Sequence, residues 1–132
     1  MSFFEDLKVW QKAKDLSVRV HKITRLRGFD EDPELKENLR RASIDAACLI
    51  ADGSVRGTGG SSIASYLDAR GLLARLDTLA ELSLALGCVE EKSRDVLRQE
   101  SETVAKMLSG LIKAQRNQGR KNKGSVDGSE AY

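Results

Sequence analysis

The sequence predicts an all-α protein, an antiparallel up-down-up-down four-helix bundle. Three observations predict it. Four segments repeat apolar residues at steps of three and four, the spacing that places them on one helix face. The chain has one proline, 5% aromatic and 32% charged residues, a composition poor in the turns and β-formers of a sandwich or barrel. Its 132 residues, 40% of them hydrophobic, suffice for one core and are short for two.

The first helix is expected from Phe4 to Leu26. Phe3, Leu7, Trp10, Ala13, Ser17, Val20 and Ile23 form its stripe, with Lys8, Lys12, Asp15, Arg19 and Lys22 between them. Trp10 therefore belongs in the core, and Gly28 suits a left-handed cap. Asp32-Pro33-Glu34 opens the second helix: Asp32 can accept backbone N–H bonds, Pro33 fits the first turn, and Glu34 suits the positive end of the dipole. Leu35, Leu39, Ala42, Ala46 and Leu49 or Ile50 form its stripe, and Gly53 is expected to stop it. A Gly-rich loop, Gly53 to Ser62, leads into a third helix from Ser61 to Leu86 that ends at Gly87. The fourth runs from Glu90 to Gln118, with Glu100 interrupting an otherwise apolar face. The first and third helices come out at about 33–39 Å, the second about a turn shorter, and the fourth longest. Residues 1–118 thus form the bundle, and the Gly-, Lys-, Asn- and Ser-rich stretch 119–132 reads as a disordered basic and polar tail.

The formal net charge of +2 argues against a general DNA-coating protein and leaves room for a local basic patch. Cys48 and Cys88 are too few for a disulfide framework and read as reduced core residues. The opening MSFFEDLKVW carries acid where a signal peptide needs a basic start. No run approaches the ~20 apolar residues of a membrane span. A cytoplasmic protein with no membrane association is expected.

Enzymatic chemistry finds little to build on. A di-iron bundle site needs Glu-x-x-His pairs, but the single histidine, His21, follows Val18 at that spacing. His21, Cys48 and Cys88 lack zinc-ligand spacing, and no nucleophile elbow is present. No catalytic residue, metal or cofactor is expected. The loop Gly53–Ser62 matches neither a P-loop nor a dinucleotide fingerprint. It does lead into a helix N-terminus and contains Arg56, so phosphate is a conceivable ligand; Thr58 or Ser61 as an N-cap is the plainer reading. Lys113, Arg116, Arg120, Lys121 and Lys123 form a run with no acid among them. The dipole accounts for Lys113 and Arg116 at a helix C-terminus but not for the continuing basic tail. These residues are the first candidates for contacts to RNA or DNA, with Arg40, Arg41, Arg56 and Arg70 next.

Several stretches resemble one known family. Phe4-Glu5-Asp6-Leu7-Lys8-Val9-Trp10-Gln11-Lys12-Ala13 is similar to the opening of the four-helix-bundle proteins encoded in intervening sequences of bacterial 23S rRNA genes. Leu39-Arg40-Arg41-Ala42, Ile50-Ala51-Asp52-Gly53, Ala69-Arg70-Gly71 and Met107 to Lys113 agree as well. The chain departs from the family at Asp45 to Leu49, where a Ser-Ile-Pro-Ser-Asn run is usual. It also has Leu72 and Arg75 where serine and glutamate are common. The resemblance implies an antiparallel four-helix bundle and a ring-shaped homopentamer. It also implies kinship with the accessory protein of diversity-generating retroelements, which binds a reverse transcriptase and nucleic acid. It carries over no catalytic residue.

The expected function is accordingly a non-enzymatic oligomeric binding or scaffold protein that contacts nucleic acid or a nucleic-acid enzyme. The alternative is a protein–protein assembly module with no nucleic-acid role. Self-association also has a basis in the residues themselves. The leucines and alanines of the third helix sweep through about 200°, wider than one core needs, and a surplus apolar arc marks an interface. Leu72, Leu73, Leu82 and Leu84 are the candidate contact residues.

Overall fold

A computed structural model of the chain describes residues 4–121, the side chains of Arg120 and Lys121 excepted. A 3-10 turn, Phe4–Asp6, precedes helix α1, Lys8–Thr24. A second 3-10 turn, Arg27–Phe29, leads to α2, Pro33–Val55; α3 is Gly60–Ala85 and α4 is Glu91–Lys121. The described residues contain no strand. α1 and α3 each pack against both α2 and α4, which places the four helices at the corners of a square. The cross-helix bonds set their directions. Thr24 of α1 meets Arg40 of α2, and Ser17 meets Ser43. Tyr66 of α3 lies against Gly53 of α2, where a short loop turns the chain back. Arg94, Ser101 and Ser109 of α4 meet Glu81, Leu73 and Arg70 of α3 in turn. One number rises as the other falls, so consecutive helices are antiparallel, as the four stripes predict.

The core is built from the stripes of all four helices. Leu39, Ile50, Leu73, Leu76, Leu97 and Leu108 are all but fully buried, each contributing about 1.5–3 kcal/mol of transfer free energy. Buried hydroxyls bond within the bundle: Thr24 Oγ1 donates to the Val20 carbonyl at 2.8 Å and Ser83 Oγ to the Leu79 carbonyl at 2.7 Å. These short polar residues enter the core with their donors satisfied, whereas the buried Ser62 hydroxyl has no partner.

Six local expectations are corrected. α1 is the shortest helix, with 17 residues against 23 in α2, because Leu7 is extended (ψ 124°) and separates the opening turn from the helix. Its buried face includes Val9 and Leu16, since it packs against two neighbours. Trp10 is left half-buried at the margin, with the Phe4 ring edge-on at 5.1 Å and Lys14 Nζ 5.7 Å from its centroid. Gly53 does not stop α2; it lies inside the helix, where a Cβ would come within 2.6 Å of the Tyr66 ring. Gly28 is no left-handed cap but part of the second 3-10 turn, pressed against the Cys88 carbonyl. Asp32 precedes α2 without capping it through its side chain. Its carboxylate accepts a bond from the Cys88 thiol at 3.4 Å instead. Gly87 does end α3, with φ +77°, and the Cys88 N–H returns to the Ser83 carbonyl at 2.8 Å. The α3–α4 turn is thus clasped to the α1–α2 turn at one end of the bundle. α4 continues through Lys121 and takes in the first three residues of the stretch expected as a tail; residues 122–132, with Lys123, lie outside the described residues.

Two outcomes follow from this packing. Gly53→Ala and Gly28→Ala should each destabilise the fold by about 1–3 kcal/mol, read as a lower midpoint in denaturant. The first forces the buried Tyr66 ring to move and the second strikes backbone. Asp77 gives a pH-dependent counterpart. Its Oδ1 is buried without a partner. Burial pushes its carboxyl above the usual range, while the Ser101 hydroxyl and Arg98 pull it down. The folded state then holds the proton more tightly than the unfolded chain, so stability falls as pH rises through the carboxylate range. Asp77→Asn should raise the melting temperature at pH 7, and its advantage over the unaltered chain should shrink toward pH 3.

Candidate nucleic-acid interface

The last turns of α4 present an exposed file. Ser109, Lys113 and Arg116 are spaced by four and three residues, so they lie one above another, and all three are exposed. Arg70 of α3 joins them: its Nη1 donates to Ser109 Oγ at 3.1 Å. A cation from the middle of α3 is thereby laid onto the α4 file. Among the described residues none of Arg70, Lys113 and Arg116 is in an ion pair. Arg120 continues the file at the next i,i+4 step on the helix backbone.

The other candidate cations do not converge on this face. Arg40 is half-buried and its Nε donates to Thr24 Oγ1 at 2.8 Å, so it ties α2 to the end of α1. Arg41 is exposed beside it on α2. Arg56 is already engaged, with Nε 2.9 Å from Asp52 and Nη1 donating to Ser61 Oγ at 2.8 Å. The Arg56 bond, followed by one from Ser65, holds the Asp52 carboxyl below its usual range. Nor does Thr58 or Ser61 cap α3: the capping position is Gly59, with no side-chain bond. The turn therefore offers a phosphate no free cation, and it is shorter than the expected Gly53–Ser62 loop because α2 runs on to Val55.

A second positive surface escaped the sequence reading. α1 carries Lys8, Lys12, Lys14, Arg19 and Lys22 against the single acid Asp15, although the whole chain is near neutral. Lys12, Arg19 and Lys22 line a groove of ≈ 380 Å³ between α1 and α4, opposite Glu100. Arg19 pairs with Glu100 at 2.9 Å, which explains the polar interruption of the α4 stripe. The signal was in the sequence as an excess of lysine and arginine over one helix, read there only as spacing between core residues.

The candidate interface leucines divide. Leu73 is 1% exposed and belongs to the core, because its position on the helix points between α2 and α4. Leu72 and Leu84 are half-buried, and Leu82 is 46% exposed. The structure adds Leu86, 59% exposed. Leu72 and Leu79 pack partly against the core, and at the same helical spacing Leu82 and the capping residue Leu86 carry the apolar file outward at the end of α3.

The residues with nucleophilic or metal-binding chemistry are dispersed. His21 Nδ1–H donates to the Ser17 carbonyl at 2.7 Å. Cys48 is exposed, contrary to the core role expected of it, since its turn of α2 faces outward beside α1. Cys88 is buried, as expected, and burial, then the Asp32 carboxylate, pushes its thiol up. That environment disfavours the reactive thiolate. No helix among the described residues is long and apolar enough to cross a membrane.

A search of curated proteins gives no match. The family described as 23S rRNA-intervening sequence protein matches residues 5–110. Those residues take in all of α1, α2 and α3, with Arg70, and stop short of Lys113 and Arg116. A match over that span, on a chain folded as four antiparallel helices, places the protein: it belongs to the 23S rRNA-intervening sequence protein family.

Proposed function

We propose that the protein is a non-enzymatic, oligomeric binding protein of the cytoplasm. It contacts RNA or DNA, or an enzyme that acts on nucleic acid such as a reverse transcriptase, through the α3–α4 basic face. It needs no cofactor. The observation that carries this reading is the Arg70–Ser109 bond, which joins cations from two helices into one exposed file free of carboxylate partners. Such a file suits the regular negative charge of a phosphate backbone. Arg120, Lys121 and Lys123 extend the same run in sequence.

Self-association is supported by a different surface. Leu82 and Leu86 stay exposed on an otherwise packed helix, and an uncovered apolar file of that kind favours a partner. This also supports the alternative of a protein–protein assembly module with no nucleic-acid role. The number of copies, five, rests on the family resemblance alone.

Binding of a single-stranded RNA oligonucleotide, measured by anisotropy at several salt concentrations, separates the two readings. Arg70→Glu, Lys113→Glu and Arg116→Glu together should weaken binding at least tenfold and lower the logarithmic salt slope by about 0.7 for each lost contact. Unaltered binding would move the contact to Arg40, Arg41 and Arg56. No binding by the unaltered chain would leave the assembly module. Light scattering tests self-association: the mass of one chain refutes it, and two or four chains refute the pentamer alone. Leu82→Asp with Leu86→Asp should dissociate the assembly without loss of helicity.

A further inference from the structure

The outer seam between α1 and α2 is an open groove of ≈ 590 Å³. It lies away from the α3–α4 basic face, and no residue of the proposed nucleic-acid contact lines it. Val18 and Ile44 in its walls are 47% and 42% exposed. The half-buried Trp10 closes one end, and Ala47 and Ala51 form part of the floor. Large apolar side chains left open to water along a seam are unusual in a packed domain and mark a place where another apolar surface sits.

The rim narrows what that surface is. Lys14, Lys22 and Arg25 line the groove, and no carboxylate does. All three cations are exposed, and of them only Lys14 has an acid within ion-pair distance among the described residues, its neighbour Asp15 at 3.8 Å. From Trp10 to Arg25 the groove follows α1 for about 22 Å at 1.5 Å per residue, room for about four helical turns. An apolar trough of that length with one cationic edge complements a helix with an apolar stripe and flanking carboxylates. A nucleic-acid strand suits it less, because the walls are overwhelmingly apolar. Trp10 is also a poor stacking platform, being already engaged by Phe4 and Lys14.

We propose that the α1–α2 groove docks an acidic amphipathic helix of a partner protein, its apolar face on Val18 and Ile44 and its carboxylates on Lys14, Lys22 and Arg25. This goes beyond the nucleic-acid reading and does not depend on it.

Trp10 is the chain's one tryptophan, so its fluorescence reports on the groove directly. The probes are two 18-residue amphipathic peptides with the same leucine stripe, one flanked by glutamate and one by lysine. Titrated into the full-length protein, the glutamate peptide should shift Trp10 emission saturably and bind at least tenfold more tightly than the lysine peptide. Val18→Asp with Ile44→Asp, both at exposed sites, should abolish binding while leaving the circular-dichroism spectrum unchanged. Lys22→Glu with Arg25→Glu should weaken it at least tenfold. Arg70→Glu with Lys113→Glu should leave it unaltered, which separates this proposal from the nucleic-acid contact. Equal binding of the two peptides, or binding that survives Val18→Asp with Ile44→Asp, overturns the proposal. So does a smaller assembly mass on Ile44→Asp, which would make the occupant a second copy. A shift in Trp10 emission on removing residues 122–132 would assign the groove to the chain's own end, and quenching by single-stranded RNA that Ile44→Asp abolishes would assign it to nucleic acid; either result overturns the proposal as well.

Discussion

Tyr66 occupies the space that a side chain at Gly53 would fill, and this close approach of α2 and α3 sets the register of the bundle. The ring is 2% exposed, so displacing it costs contacts in a close-packed interior. One residue earlier on each helix, Ser65 donates to Asp52 at 3.0 Å, so an apolar contact and a polar one fix the same level. A helix advances 1.5 Å per residue, and fixing Tyr66 therefore fixes Arg70 one turn further on. There it meets Ser109 and joins the α4 file. The positive face is thus a consequence of a glycine two helices away.

The surfaces left unsatisfied by this arrangement point in different directions. α4 turns an unpaired cationic file outward, α3 an apolar one, and the α1–α2 seam an apolar trough with a basic edge. The small bundle therefore presents three chemically distinct outer surfaces.

The bundle was legible because apolar spacing is a local signal. The stop at Gly87, the start at Pro33, the long fourth helix and the burial of Leu39, Ala69 and Leu108 all follow from residues a few positions apart. Gly53 misled because a glycine inside a helix and one that ends it look alike until the facing residue is known. Trp10 misled because its hydrophobicity says nothing about which of two neighbours α1 leans on. Leu73 and Leu82 are the same residue type on one helix, and only packing tells the core one from the exposed one. Arg70 was named as a candidate, but its union with Lys113 and Arg116 spans 39 residues to Ser109 and leaves no mark in local spacing.

The clasp at one end of the bundle has a consequence for how the molecule breathes. Gly28 sits on the Cys88 carbonyl and the Cys88 thiol reaches Asp32, so two chain reversals hold each other. The opposite end has one reversal, Arg56 to Gly59, with glycines in unusual backbone geometry at Gly57 and Gly59. Local opening takes the route with the fewest buried contacts to break. Amide hydrogens around the α2–α3 turn should therefore exchange through partial openings that leave the clasped end folded, whereas those beside Gly28 and Cys88 should exchange only when the whole bundle unfolds.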